Sequence, residues 1–152
     1  MANAARLHDV ATDSSFPSAR AARADLHDPT SQAFQLLRLG FVAAPVIAGA
    51  DKFFGLLTNW DAYLSPAFAR LSPMSPHATM MSVGVVEMTA GLLVAVKPRI
   101  GAYVVAAWLA GIMLNLVLLG HSYDIALRDL GLCLAALALG RLSEPQARKV
   151  TA

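Results

Sequence analysis

The 152-residue chain is poor in charge and in redox-active or metal-binding side chains. Only 14% of its residues are charged, with one cysteine and four histidines. An ordinary globular domain carries about 25% charged residues, so this composition argues against a large soluble core with a wet surface. The lone Cys133 excludes an intramolecular disulfide and a CxxC redox pair. Lying in an apolar run, it reads as a small core hydrophobe. His8 and His27 lack the spacing of a metal site, and there is no haem-ligand histidine pair and no Gly-rich nucleotide loop. No catalytic residue, metal site or cofactor motif is therefore identifiable. The net charge of +2 is carried by basic residues that flank apolar runs and form no stripe, which speaks against nucleic acid.

What is present is long apolar sequence. The chain is 57% hydrophobic, and Ile100–Leu119 contains no charge and one strongly polar side chain, Asn115. As a helix it would be roughly 30 Å long, the thickness of a bilayer's hydrocarbon core. It has no polar face to turn to water. We read it as a membrane span.

The rest of the chain organises around it. Residues 1–33 are polar and rich in small residues, an expected flexible cytoplasmic arm without the pattern of a secretory signal. A first helix is expected from a Ser31 N-cap to about Leu57, bent at Pro45. Between Asn59 and Ser72, Trp60, Tyr63, Leu64, Phe68 and Leu71 recur at helical spacing, which predicts a short helix in the headgroup plane. Further helices are expected over about 78–96, 100–119 and 124–142, and Ser143–Ala152 is expected to be a polar cytoplasmic tail. The fold class is then all-α: an integral membrane four-helix bundle over residues 34–142, with a short interfacial helix between helices one and two.

Lysines and arginines set the orientation. Arg6, Arg20, Arg23, Arg38, Lys97, Arg99, Arg141, Arg148 and Lys149 fall on one side of a four-span arrangement, nine of the twelve basic residues. Lys52, Arg70 and Arg128 fall on the other. The positive-inside rule places both termini in the cytoplasm.

That arrangement brings polar residues to one depth. Asp51, Lys52, Asn115, Arg128 and Asp129 share a level roughly 6–9 Å below the outer surface, with Glu87 slightly deeper. Spacing with small residues predicts their facing. Gly40, Ala44, Ala48, Asp51 and Gly55 share a face of helix one; Gly84, Glu87 and Gly91 of helix two; Ala107, Gly111 and Asn115 of helix three; Arg128, Gly131 and Ala135 of helix four. All but Lys52, with Asp129 left open, are thus expected to face inward. Three carboxyls meet two cations, so Glu87 is the candidate for a group that is protonated or in contact with water. The cluster has three readings: a structural network fixing helix register, a site for a ligand or quinone headgroup, or a proton or ion path. Trp60, Tyr63, His121 and Tyr123 read as interface anchors, and His77 as a loop residue.

With these pieces placed, the chain resembles the DoxX-like family of small bacterial four-helix membrane proteins. The resemblance rests on RLGFVAAPVIAGADKF with Arg38, Gly49 and Lys52, on VGVVEMTAGLLVAV with Gly84, Glu87 and Gly91, on the turn KPRIGAY, and on RDLGL at Arg128–Leu130. It covers about Arg38 to Leu142. The segment LLTNWDAYLSP departs from the plainest members and reads as a docking surface.

The resemblance implies a multi-pass bacterial inner-membrane protein that is an accessory or anchoring subunit of a redox complex. It would work near quinone, with membrane lipid and other membrane subunits as partners and any electron-transfer cofactor held by them. Two alternatives stay open. One is a small proton-coupled transporter using Glu87; the other is a self-associating membrane scaffold, hence a homo-oligomer, using faces that carry Tyr103 and Trp108.

Overall fold

The computed structural model describes residues 28–151. The expected N-terminal arm, His8 and His27 included, lies outside the described residues up to position 27. All regular structure among the described residues is helical. Helix α1 spans Pro29–Phe54, α2 Pro66–Leu71, α3 Pro76–Val96, α4 Pro98–Leu119 and α5 Tyr123–Thr151, with a 3-10 turn at Trp60–Tyr63.

Proline writes the starts. Each of α1 to α4 begins on one, at Pro29, Pro66, Pro76 and Pro98, where the missing N–H costs nothing because the first turn has no partner for it. Ser65 and Ser75 cap α2 and α3, accepting from the amides of Phe68 and Ala78. At α1 the cap is Asp28, whose carboxylate accepts from the amides of Thr30 and Ser31. This corrects the expected Ser31 cap: Asp28 before Pro29 is the stronger start signal.

Glycine writes two of the ends. Gly55 takes a left-handed φ of 62° and Gly120 one of 86°, a conformation in which a Cβ would be strained. Helix α1 therefore stops at Phe54, short of the expected Leu57. Helix α5, by contrast, runs on to Thr151, so the expected polar tail is helical.

Among the described residues, three helices are long and apolar enough to cross a membrane: Pro29–Phe54, Pro76–Val96 and Pro98–Leu119. Helix α5 is not one of them, because Asp124, Arg128 and Asp129 crowd its beginning and Arg141 and Glu144 follow its leucine-rich middle. Many large apolar side chains point outward, among them Leu36, Ile47, Leu92, Leu114 and Leu134. A helical surface of this kind suits lipid, where every backbone group is already satisfied within its own helix.

The apolar core gathers around the Lys97 turn, which joins α3 to α4. Phe34 and Phe41 of α1, Val94 of α3, Ala102 and Val105 of α4, and Ala136 and Leu139 of α5 form one cluster. At the turn, a Cβ on Gly101 would stand 2.5 Å from the Val94 amide nitrogen; only glycine permits this approach. Arg38 reaches across from α1 and donates to the Ala95 carbonyl in the last turn of α3, where the helix leaves its carbonyls unpaired.

The small-residue faces need correction. Gly40, Gly111 and Gly131 meet no neighbour within 4 Å, and Ala44 and Ala107 are exposed. The buried stripe of α5 is Ala126, Asp129, Ala136, Leu139 and Ser143, one step around the helix from Arg128 and Gly131. Close approach is made by Gly84 and Gly91, as expected for α3, and by Gly49, Gly101 and Gly140. A glycine marks a contact only where the stripe of larger buried residues passes through it.

Candidate functional site

The site begins with two helices in backbone contact. A Cβ added to Gly49 of α1 would lie 2.5 Å from the Gly84 carbonyl oxygen, and one added to Gly84 of α3 would lie 2.6 Å from that of Gly49. Three residues further along each helix stand Lys52 and Glu87, nearly one turn on and close to the same face. The Lys52 stem passes Gly84, whose absent Cβ would have met Lys52 Cβ at 3.2 Å. Its Nζ then meets Glu87 Oε2 at 2.6 Å, with side-chain exposures of 3% and 10%. Nζ also lies 3.5 Å from the Ala48 carbonyl. This is a buried, charge-assisted hydrogen bond.

The expectations differ here on two counts. Lys52, the one residue expected to face away, is inside. Glu87, the candidate for the unpaired carboxyl, has a cation of its own. The lysine stem is long enough to turn back into the bundle from near the end of α1 because glycine leaves it a channel.

Trp60 closes the pair from the loop side. Its ring lies 3.8 Å from Lys52 Nζ, measured to the ring centroid, a cation–π contact. The ring is fixed by its own Nε1–H, which donates to Asp51 Oδ2 at 2.8 Å. The same carboxylate accepts from the amides of Leu56 at 3.0 Å and Leu57 at 3.1 Å. Adjacent residues thus share one job at different ends: Lys52 sits under the indole while Asp51 holds its rim. Trp60, expected as an interface anchor, is half-buried.

Asn115 holds the other end of the loop. Its Nδ2 donates to the Tyr63 carbonyl at 2.6 Å and its Oδ1 accepts from the Ser65 amide at 2.9 Å. Ser65, fully buried, joins the 3-10 turn to α2. Farther out, Asp61 meets His77 Nδ1 at 3.2 Å and Ser72 meets Thr79 at 2.8 Å, both tying the loop to the first turn of α3.

The expected single polar layer is therefore divided. Asp51, Lys52 and Glu87 come together with Trp60. Asn115 serves the loop. Asp129 is buried and receives Arg128 at 3.3 Å, but the Arg128 side chain is 67% exposed, so it faces outward where it was expected to face in. Tyr63 is half-buried; His121, bonded to Ser122 at 3.3 Å, and Tyr123 are exposed at the α4–α5 connection.

Three members of this arrangement were not read as such in the sequence. Gly49 as a contact, Ser65 as a buried junction and Trp60 as a cover were all missed. Ser65 had a signal in the Ser-Pro step before α2. Trp60 had none beyond its place eight residues after Lys52. Among the described residues, no group of three or more His, Cys, Asp or Glu side chains could hold a metal ion. Chemically, the arrangement offers a buried ammonium and carboxylate beneath an aromatic face.

Among the described residues the chain is thus all-helical, with three helices long and apolar enough for a bilayer and a buried ion pair roofed by a loop. No family model, curated protein or solved structure matches it.

Proposed function

We propose that this chain is a DoxX-like subunit of the bacterial inner membrane, with four spans and both termini in the cytoplasm. In this reading it anchors or assists a redox complex, and its partners hold the electron-transfer cofactors. The observation that carries the reading is the Lys52–Glu87 pair under Trp60. An ion pair in an apolar bundle is weak evidence for stability, because desolvation offsets much of its attraction. Ionisable groups within membrane segments are functional candidates by default. Here the ammonium is suited to donate to a carbonyl-bearing amphiphile such as a quinone headgroup, and the indole face suits a planar ring.

The proton-carrier reading is less well supported. Between Glu87 and the Lys97 turn the cluster of core residues is apolar, and Glu87 is already engaged by Lys52. Extraction in mild detergent tests the proposal: the chain should co-purify with further membrane subunits and with bound quinone. Isolation as a lone chain carrying neither defeats the anchoring role. Proton flux in liposomes that Glu87→Gln abolishes would support the carrier instead.

A further inference from the structure

The segment Gly55–Ser65 is held down in an unusual way. None of its residues before Ser65 is buried, and Leu56 and Leu57 turn their side chains outward, with 84% and 66% exposed. Packing of the segment is partial, made by the half-buried Trp60, Tyr63 and Leu64. What fixes it is a small set of polar contacts: Asp61 meets the exposed His77 of α3 at 3.2 Å, and two side chains of the long helices hold its ends. Asp51 takes the Leu56 and Leu57 amides and the Trp60 indole N–H. Asn115 takes the Tyr63 carbonyl and the Ser65 amide. The two latches sit on different helices, α1 and α4. At one boundary Gly55 supplies a left-handed backbone joint; at the other, Ser65 starts α2.

Beneath this segment lies the Lys52–Glu87 pair, and the Trp60 ring is its cover. In the opposite direction, towards the Lys97 turn, the pair meets the apolar core of Phe41, Ala90 and Val94 with its neighbours. Access is thus asymmetric. One side is closed by side-chain packing that only unfolding would undo. The other is closed by hydrogen bonds, each individually weak and open to local fluctuation.

We infer that Gly55–Ser65 is a latched lid, and that the buried pair is reached only from the loop end of the bundle when the lid lifts. The helices stay folded during opening. The Trp60 indole leaves the ammonium face, and a hydrogen-bond-accepting, ring-bearing group of similar size can take its place. The lid belongs to the chain itself and needs no partner subunit, so it stands or falls separately from the proposed redox complex.

The test measures acetylation of Lys52 by a membrane-impermeant sulfonated succinimidyl ester on the full chain in lipid vesicles, read by mass spectrometry. Lys97 reports one side of the membrane, and an Arg70→Lys background reports the side of the loop. Lys52 should be modified slowly, and only when the reagent is on the side that modifies position 70. Trp60→Phe keeps a ring over Lys52 but removes the bond to Asp51. It should raise the Lys52 rate about tenfold, the factor that losing one hydrogen bond allows, and leave Lys97 unchanged. Asn115→Ala should act in the same direction. Modification from the Lys97 side, or a Lys52 rate that neither variant moves while helix content is intact, overturns the lid. Should both variants fail to fold, hydrogen exchange on the unmodified chain decides. The amides of Leu56, Leu57 and Ser65 exchanging together and ahead of α1 and α3 supports the lid; exchange only with the whole bundle overturns it.

Discussion

Gly49 and Gly84 touch through their backbones, and that contact sets the spacing at which Lys52 reaches Glu87. A side chain at either position would have to push α1 and α3 apart, since the obstacle is the facing carbonyl oxygen and not a flexible tip. Gly49→Ala and Gly84→Ala should each destabilise the protein by about 1–3 kcal/mol, the usual cost of overpacking. Gly111→Ala, at a site with open space, should change nothing or raise stability slightly through helix propensity. Thermal unfolding in detergent compares the three; equal midpoints would contradict the contact.

The ion pair predicts a non-additive pattern. Removing one partner leaves the other charged and buried, a loss of about 3–5 kcal/mol, whereas replacing both with apolar side chains is often neutral or better. Lys52→Met and Glu87→Leu should therefore each be poorly stable. The double variant should recover most of the loss. Additive effects would mean that the two groups do not depend on one another. If the double variant is stable yet no longer retains quinone, the pair serves binding and not the fold.

Asp129 is the third buried carboxylate, and Arg128 is the cation bonded to it. Because the guanidinium is largely exposed, its loss is partly screened, while the carboxylate it leaves behind remains buried. Arg128→Ala should lower the unfolding midpoint more than Arg70→Ala, at an exposed position on α2. Adding Asp129→Leu should restore it. No rescue would show that Asp129 does not depend on Arg128.

How far these features were legible in the sequence depends on the physics behind each. The apolar length of Ile100–Leu119 and the glycine–glutamate spacing of Gly84, Glu87 and Gly91 are local patterns, and the structure has α4 as a span-length helix and that face of α3 buried. Proline and glycine as start and stop are local too, although the cap of α1 falls at Asp28 and not at the expected Ser31. What failed needed long-range geometry. Lys52 is placed on the wrong face by period alone because its long stem can turn back along Gly84. Arg128 fails for the complementary reason: the stripe of α5 runs through Asp129, one residue on, and a residue's own neighbours do not say which of two adjacent charges is inside. The Trp60 roof depends on contacts between a loop and two helices that no spacing encodes.

Orientation makes the last prediction. In a Cys133→Ser background, a cysteine at position 70 and one at position 97 stand at opposite ends of the bundle, the first on α2 and the second in the turn between α3 and α4. Both positions are exposed. Charge asymmetry puts position 97 with the termini, in the cytoplasm. An impermeant maleimide added to intact cells should then label Arg70→Cys and leave Lys97→Cys unreacted until the membrane is opened. A third cysteine at Arg148 tests the fourth crossing, because α5 by its charges alone is the least apolar of the long helices. Labelling at 148 only after permeabilisation requires that α5 cross the membrane. Labelling in intact cells would contradict the packing of Ala136 and Leu139 beside Ala102 at the Lys97 end of the bundle.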